Sequence, residues 1–239
     1  MKKFKYLYIY PHPDDESFGP AAVMHHQSRT DNEVNLLTLT KGGATKERHR
    51  YGYSIDEMGE IRFQEMQDVS KILNLSDLTV LDLPDGKLKE FDPLLLEDIL
   101  ETHISKIMPD VIVTYPVHGI SGFHDHLVTH ASVKRVFCKM MTNGNGFLKR
   151  LAFTTLPQSD ELKNFHFPLN GSGQDEIDCE YLTDDEDLRA HKECLQCYKT
   201  YEHVIKNVGI SEKLSKTHYF EIFNEDFSPP IEDLSRSLS

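Results

Sequence analysis

Residues 4–16 read FKYLYIYPHPDDE, a run of aromatic and aliphatic residues that opens directly onto one imidazole and three carboxyls. Phe4 to Tyr10 has strand composition, and in an open α/β sheet the sites gather in the loops leaving the carboxyl ends of the strands. Working outward, similar runs recur at Glu33 to Thr40, Leu78 to Leu83 and Asp110 to Tyr115. Helical-period segments separate them. Phe18 to Gln27 is the first, and Ile55 to Leu75 the second, where Met58, Ile61, Met66, Val69, Ile72 and Leu73 form a partial apolar stripe. Asp92 to Lys106 follows with Pro93 in its first turn, and a fourth helix is expected from about His126 to Met141, stopping at Asn143-Gly144-Asn145-Gly146. This alternation is the pattern of βαβ units, so the expected fold class is α/β, a mostly parallel sheet flanked by helices.

Beyond residue 150 the pattern loosens. Leu151 to Leu156 reads as a strand, Gln158 to Gly173 as a polar loop that is a candidate lid or insertion, and Tyr219 to Phe223 as a late strand. Thr183-Asp184-Asp185-Glu186 has the form of a capping box, which predicts a helix from there toward Glu202 and makes the acidic run a helix start rather than a ligand cluster. The serine-rich end after Pro229-Pro230 reads as a frayed tail. With 239 residues, no internal repeat and no long linker, residues 1–239 are expected to form a single domain.

Composition removes several function classes. Against 26 basic residues stand 39 acidic ones, and the formal charge of −13 would repel a phosphate backbone or an anionic membrane, so no nucleic acid partner is expected. No stretch reaches the roughly 18 to 20 apolar residues of a membrane span, and the start MKKFKYLYIY lacks a cleavable apolar core, so the expected location is cytoplasmic. The four cysteines are too few and too irregular for a disulfide framework and are expected reduced; Cys194-x-x-Cys197 has no second pair and falls inside a predicted helix. Self-association into a homo-oligomer is left open.

An imidazole and three carboxyls crowded into Pro11-His12-Pro13-Asp14-Asp15-Glu16 repel one another unless a cation or partners offset the charge, and zinc suits neutral imidazole and carboxylate oxygen. The fourth strand candidate ends in a second such loop, with His118, His124, Asp125 and His126 around Gly119 and Gly122. If both loops lie at one sheet edge, the first could supply two ligands and the second a third, leaving a position for water and a spare carboxylate as general base. After the second strand, Thr40-Lys41-Gly42-Gly43 would let the backbone approach a ligand closely. No P-loop, dinucleotide fingerprint or nucleophile elbow occurs.

These residues resemble the LmbE/PIG-L family of zinc-dependent N-acyl-sugar deacetylases, whose signature is His-Pro-Asp-Asp-Glu after a first strand. Thr40-Lys41-Gly42-Gly43, the helical pair Arg62 and Glu65, Leu83-Pro84-Asp85-Gly86, and Gly119 to His126 follow in the family's order, over roughly residues 4 to 135. The resemblance implies that His12, Asp15 and His126 bind Zn2+, that Asp14 activates a water, and that Arg62 and Gly43 help bind substrate. It also implies a Rossmann-like core, residues 1–150, and a variable C-terminal part, residues 151–239, lining the pocket. One departure stands out: the family's Gly-His-Pro-Asp-His is here Gly122-Phe123-His124-Asp125-His126, so Phe123 takes the place of a histidine and His124, one residue on, is the candidate substitute.

The leading expectation is therefore a zinc-dependent deacetylase that removes an N-acetyl group from a small-molecule amino sugar or glycoside, with Asp14 and His124 catalytic. Two alternatives stay open: a metal-dependent phosphoesterase, and a metal- or sugar-binding protein whose catalysis has decayed. Blander readings stand beside the site residues. Arg62 and Glu65 could form an i, i+3 ion pair, Asp125 a helix-start carboxylate or a residue orienting a ligand histidine, and His118 and His130 pocket walls or surface.

Overall fold

The computed structural model describes residues 3–164 and 168–239. Among them one sheet contains β1 (Lys5–Tyr10), β2 (Glu33–Thr38), β3 (Asp77–Val80), β4 (Val111–Thr114), β5 (Arg150–Thr155), β6 (Cys179–Leu182) and β7 (Thr217–Ile222), in the order β3-β2-β1-β4-β5-β7-β6. The strands β1 to β5 pair in parallel, while β7 runs antiparallel to both β5 and β6. The chain winds outward from β1 to β3 and returns to place β4 on the other side of β1. The crevice beyond the carboxyl ends of β1 and β4 is thus the topological switch point, where ligands bind in such sheets.

The helices are α1 (Asp15–Phe18), α2 (Ala21–Arg29), α3 (Arg48–Tyr51), α4 (Ile55–Ile72), α5 (Pro93–Ile107), α6 (His124–Thr142), α7 (Asp185–Cys197), α8 (Glu202–Val208) and α9 (Ile210–Lys213). Alternation along β1 sorts them onto two faces. Tyr6, Tyr8 and Tyr10 pack with Val23 and Met24 of α2, Met66 and Val69 of α4, and Leu195 of α7. Leu7 and Ile9 pack on the opposite face with Leu96, Leu100 and Ile104 of α5 and Val133 and Phe137 of α6. A central strand apolar on both faces is what helices on either side require. The buried hydroxyls of Tyr8 and Tyr10 are matched by Gln27 and Thr154.

Several local expectations change. The first helix begins at Asp15 rather than Phe18 and is interrupted at Gly19-Pro20, so the acidic signature lies on a helix start. Strand β6, only four residues long, carried too short an alternation to read and is completed by pairing with β7. The cap of α7 is Asp184, bonded to the amides of Glu186 and Asp187, with Asp187 reciprocating to the Asp184 amide; Thr183 instead donates to the Lys216 carbonyl. That helix ends at Cys197, short of Glu202. The tail is tied down, because Leu234 is fully buried and the Arg150 guanidinium donates to the Leu234 and Arg236 carbonyls. In the proposed lid, Ser172 bonds Leu156 and Gln158 through its backbone, and Asn170 bonds the loop before α6; positions 165–167 of that segment lie outside the described residues. Among the described residues no helix is long and apolar enough to cross a membrane.

Candidate active site

The loop after β1 and the loop between β4 and α6 meet at the switch point. There His12, Asp15 and His126 each present a ligand atom within 4.8 Å of the others. Asp15 is the hinge of the group: its Oδ2 lies 3.5 Å from His12 Nδ1 and its Oδ1 lies 3.5 Å from His126 Nε2. The Tyr115 hydroxyl, at the end of β4, donates to the same Oδ1 at 2.7 Å, and the Tyr115 ring stacks on His126 with centroids 4.2 Å apart. No spacing rule singled out Tyr115, whose role exists only once β4 lies beside β1.

Each histidine is oriented through its far nitrogen. His12 Nε2 faces Asp125 Oδ2 at 3.1 Å and Asp85 Oδ1 at 3.3 Å, so Nε2 carries the proton and Nδ1 is left for an ion. Asp125 is itself held by the Gly86 and Leu88 amides, and Asp85 by the Ala44 amide. Asp125 thus sits in the first turn of α6 and also orients the His12 ring. His126 Nδ1 points at the Gly119 carbonyl at 3.0 Å, which puts the Nε2 lone pair on the Asp15 side. Two nitrogens and a carboxylate with supported partners are the donor set of an open divalent site, and the residues fit zinc. The same support argues against a separate ion among His12, Asp85 and Asp125, since those oxygens already accept from backbone amides and from His12 Nε2.

Asp14 takes a left-handed conformation, φ 85°, at the start of α1, and its side chain does not cap that helix. Asp is among the few residues that adopt this region at modest cost. Its Oδ2 instead accepts from Arg62 at 2.6 Å, while Oδ1 has no hydrogen-bond partner among the described residues. Burial raises the proton affinity of Asp14, Arg62 pulls it back, and Asp15 and Glu16 raise it again, leaving it well above the usual carboxylate range. Asp15 moves the opposite way: burial pushes it up, but His126, His12 and the Tyr115 hydroxyl overcome this and hold it low. Two adjacent carboxyls with opposed proton affinities can serve different chemical roles.

Arg62 and Gly43, expected near substrate, lie deeper. Arg62 is 2% exposed, donates to the Gly42 and Pro13 carbonyls as well as Asp14, and lies over the Tyr201 ring at 4.3 Å, so it acts on the site through Asp14. Glu65 does not answer it but accepts from Thr200. A Cβ on Gly43 would lie 2.1 Å from the Ile55 carbonyl, so packing of the β2 loop against α4 explains this glycine. His124 is exposed at the first residue of α6, outside the His12, Asp15 and His126 group. Phe123, 50% exposed, meets the His126 ring at a steep angle with centroids 5.6 Å apart.

Burial lowers the His12 proton affinity, but the bonds to Asp125 and Asp15 outweigh it and push its pKa up to about 10, whereas burial keeps His126 below its usual value. An ion bound through His12 would therefore displace a proton from it at neutral pH. Below a pKa of about 10 the protonated form dominates, so zinc affinity should rise about tenfold or more per pH unit between about pH 6 and 9, with about one proton or more released on loading. Chelator competition at several pH values, with an indicator for the proton, measures both; affinity independent of pH in that range would contradict the assignment of His12.

The family model described as "PIG-L: GlcNAc-PI de-N-acetylase" matches residues 7–137. A probable N-acetyl-alpha-D-glucosaminyl L-malate deacetylase 2 of Bacillus subtilis (strain 168) is 35% identical over 121 residues, covering 50% of this chain and 55% of its own. A 1D-myo-inositol 2-acetamido-2-deoxy-alpha-D-glucopyranoside deacetylase of Kineococcus radiotolerans is 26% identical over 167 residues, covering 59% of this chain and 46% of its own. The chain spans about half the length of these curated relatives. Among solved structures, a conserved protein of Thermus thermophilus superposes with TM-score 0.70 at 16% identity over 99% of this chain and 100% of that one. The N,N'-diacetylchitobiose deacetylase of Pyrococcus horikoshii does so with TM-score 0.60 at 16% identity, over 92% and 83%. With the family's model matched across both loops that build the switch-point group, this chain belongs to the PIG-L family.

Proposed function

We propose that the protein is a zinc-dependent hydrolase that removes the N-acetyl group from a small amino sugar or glycoside. The observation that carries this reading is the pairing of a supported three-ligand group with an adjacent carboxylate, Asp14, of raised proton affinity and with one oxygen left for a water. The names of the relatives supply the amide and the sugar.

Zinc held by His12, Asp15 and His126 would supply Lewis acidity, polarising the amide carbonyl and lowering the pKa of a water to about 7. Asp14 Oδ1 takes the proton from that water as its oxygen bonds to the carbonyl carbon. The same carboxyl then returns the proton to the amide nitrogen as the C–N bond breaks, releasing acetate and the amine. Arg62 holds Oδ2 so that Oδ1 faces the reaction. The exposure of His124 supports giving both proton steps to Asp14. The half-exposed Phe123 ring beside His126 forms an apolar wall of the acyl pocket. A phosphoesterase would need cations to clamp phosphate, and the charge of Arg62 is already matched by Asp14.

Acetate release measured over a panel of N-acetylated amino sugars and glycosides, against phosphate monoesters, tests the reading. Zinc-loaded protein should release acetate from at least one member and no phosphate. His124→Ala should keep turnover within about threefold, against the 10² or more expected of a lost oxyanion donor. A zinc-loaded protein inert toward the whole panel would overturn the hydrolase.

A further inference from the structure

We propose that His118 is a positioning residue for the metal centre, and that the C-terminal part holds the ligand His126 in place through it. This rests on the reading of His12, Asp15 and His126 as metal ligands.

The carbonyl that orients His126 belongs to Gly119, in a turn of unusual shape. Gly119 and Ile120 both occupy the left-handed region, at φ 63° and 56°. A Cβ on Gly119 would lie 2.9 Å from His126 Cβ, so glycine is required there. For the β-branched Ile120 a positive φ is a true outlier, and such strain persists only where surrounding contacts over-determine it. Those contacts are present. The Ile120 amide donates to His118 Nδ1 at 3.1 Å, and the Ile120 carbonyl accepts from the Asn170 amide at 2.7 Å and from Asn170 Nδ2 at 3.0 Å.

Because Nδ1 accepts, His118 carries its proton on Nε2 and donates to Ser172 Oγ at 3.3 Å. Burial lowers the proton affinity of His118, in keeping with a neutral ring. Ser172, 1% exposed, passes its own hydroxyl proton toward Glu221 on β7 and is flanked by Thr155 of β5. The set of serine, histidine and glutamate is therefore not a nucleophile with its base. The hydroxyl points at the carboxylate and the imidazole is the donor, the reverse of what activating Ser172 would need. What the set does is brace a turn. Glu221 and Ser172 fix His118, His118 and Asn170 fix Ile120, and the turn then presents the Gly119 carbonyl to His126 Nδ1. Ser172, Asn170 and Glu221 all lie beyond residue 137, where the family match ends.

The test compares zinc affinity, by competition with a chromophoric chelator, and the visible spectrum of the cobalt-loaded protein, in the parent and three variants. His118→Leu keeps bulk but loses the acceptor for Ile120, and should weaken zinc binding about tenfold and shift the cobalt bands. His118→Asn offers Oδ1 near the place of Nδ1 and should stay within about twofold of the parent with its spectrum. Ser172→Ala, which removes only the partner of Nε2, should weaken zinc about threefold. A His118→Leu protein that matches the parent, or an Asn variant as weak as the Leu variant, overturns the inference. If His118→Leu does not fold, Ser172→Ala decides, and an affinity equal to the parent's overturns it. A parent that binds neither ion overturns the metal reading itself, whereas a parent that binds while the variants match it overturns this inference alone.

Discussion

Asp14→Asn is expected to lower turnover by about 10² to 10⁴ while the bound zinc remains. The amide keeps the size of the carboxylate and an oxygen for the 2.6 Å bond from Arg62, but it cannot take a proton. His12, Asp15 and His126 keep their supports from Asp125, Tyr115 and Gly119, so metal content should not follow activity. Loss of zinc together with turnover would make Asp14 a ligand instead. Replacing its partner gives a companion test with a definite sign. Arg62 lowers the proton affinity of Asp14, so Arg62→Met raises it further and leaves the base protonated up to a higher pH. The acid limb of the pH profile should move upward, and part of the lost activity should return in alkaline buffer. A uniform loss at every pH would show that Arg62 is only structural.

His126→Ala should weaken zinc binding by about 10² or more, beyond what loss of a residue that merely supports a ligand costs, and acetate release should vanish with the metal. The imidazole offers one of the three candidate ligand atoms, and its ring stacks on Tyr115 with centroids 4.2 Å apart and meets Phe123 at a steep angle with centroids 5.6 Å apart. Alanine leaves a gap there, so the melting temperature should be checked to separate unfolding from loss of a ligand. A folded variant with full zinc occupancy would place the third ligand elsewhere.

Both tests concern residues that lie in readable sequence, because the features that name them are local. The run of Phe4 to Tyr10 and an imidazole beside carboxyls at its end are consecutive in the chain. Strand and helix periods and side-chain chemistry survive in a one-dimensional text, and in a parallel sheet they also say which loops share an edge. The meeting of the two loops was legible in this way, whereas the choice of His12, Asp15 and His126 within them came from the family resemblance. Strand β6 was not, since four residues carry too little period and the strand owes its existence to β7.

The sequence by itself determined the α/β class, the switch-point loops and the residue types gathered there, because each depends on neighbours within a few residues. Only the tertiary structure decided which partner each group meets. Arg62 finds Asp14 across 48 positions, His118 finds Ser172 across 54, and His12 finds Asp125 across 113. Which nitrogen of a histidine carries the proton, whether an arginine faces a ligand or braces a base, and whether a buried serine gives or takes a hydrogen bond are all set by the partner opposite. A hydrogen bond acts over about 3 Å, so its direction is fixed where chain segments far apart in sequence are packed together.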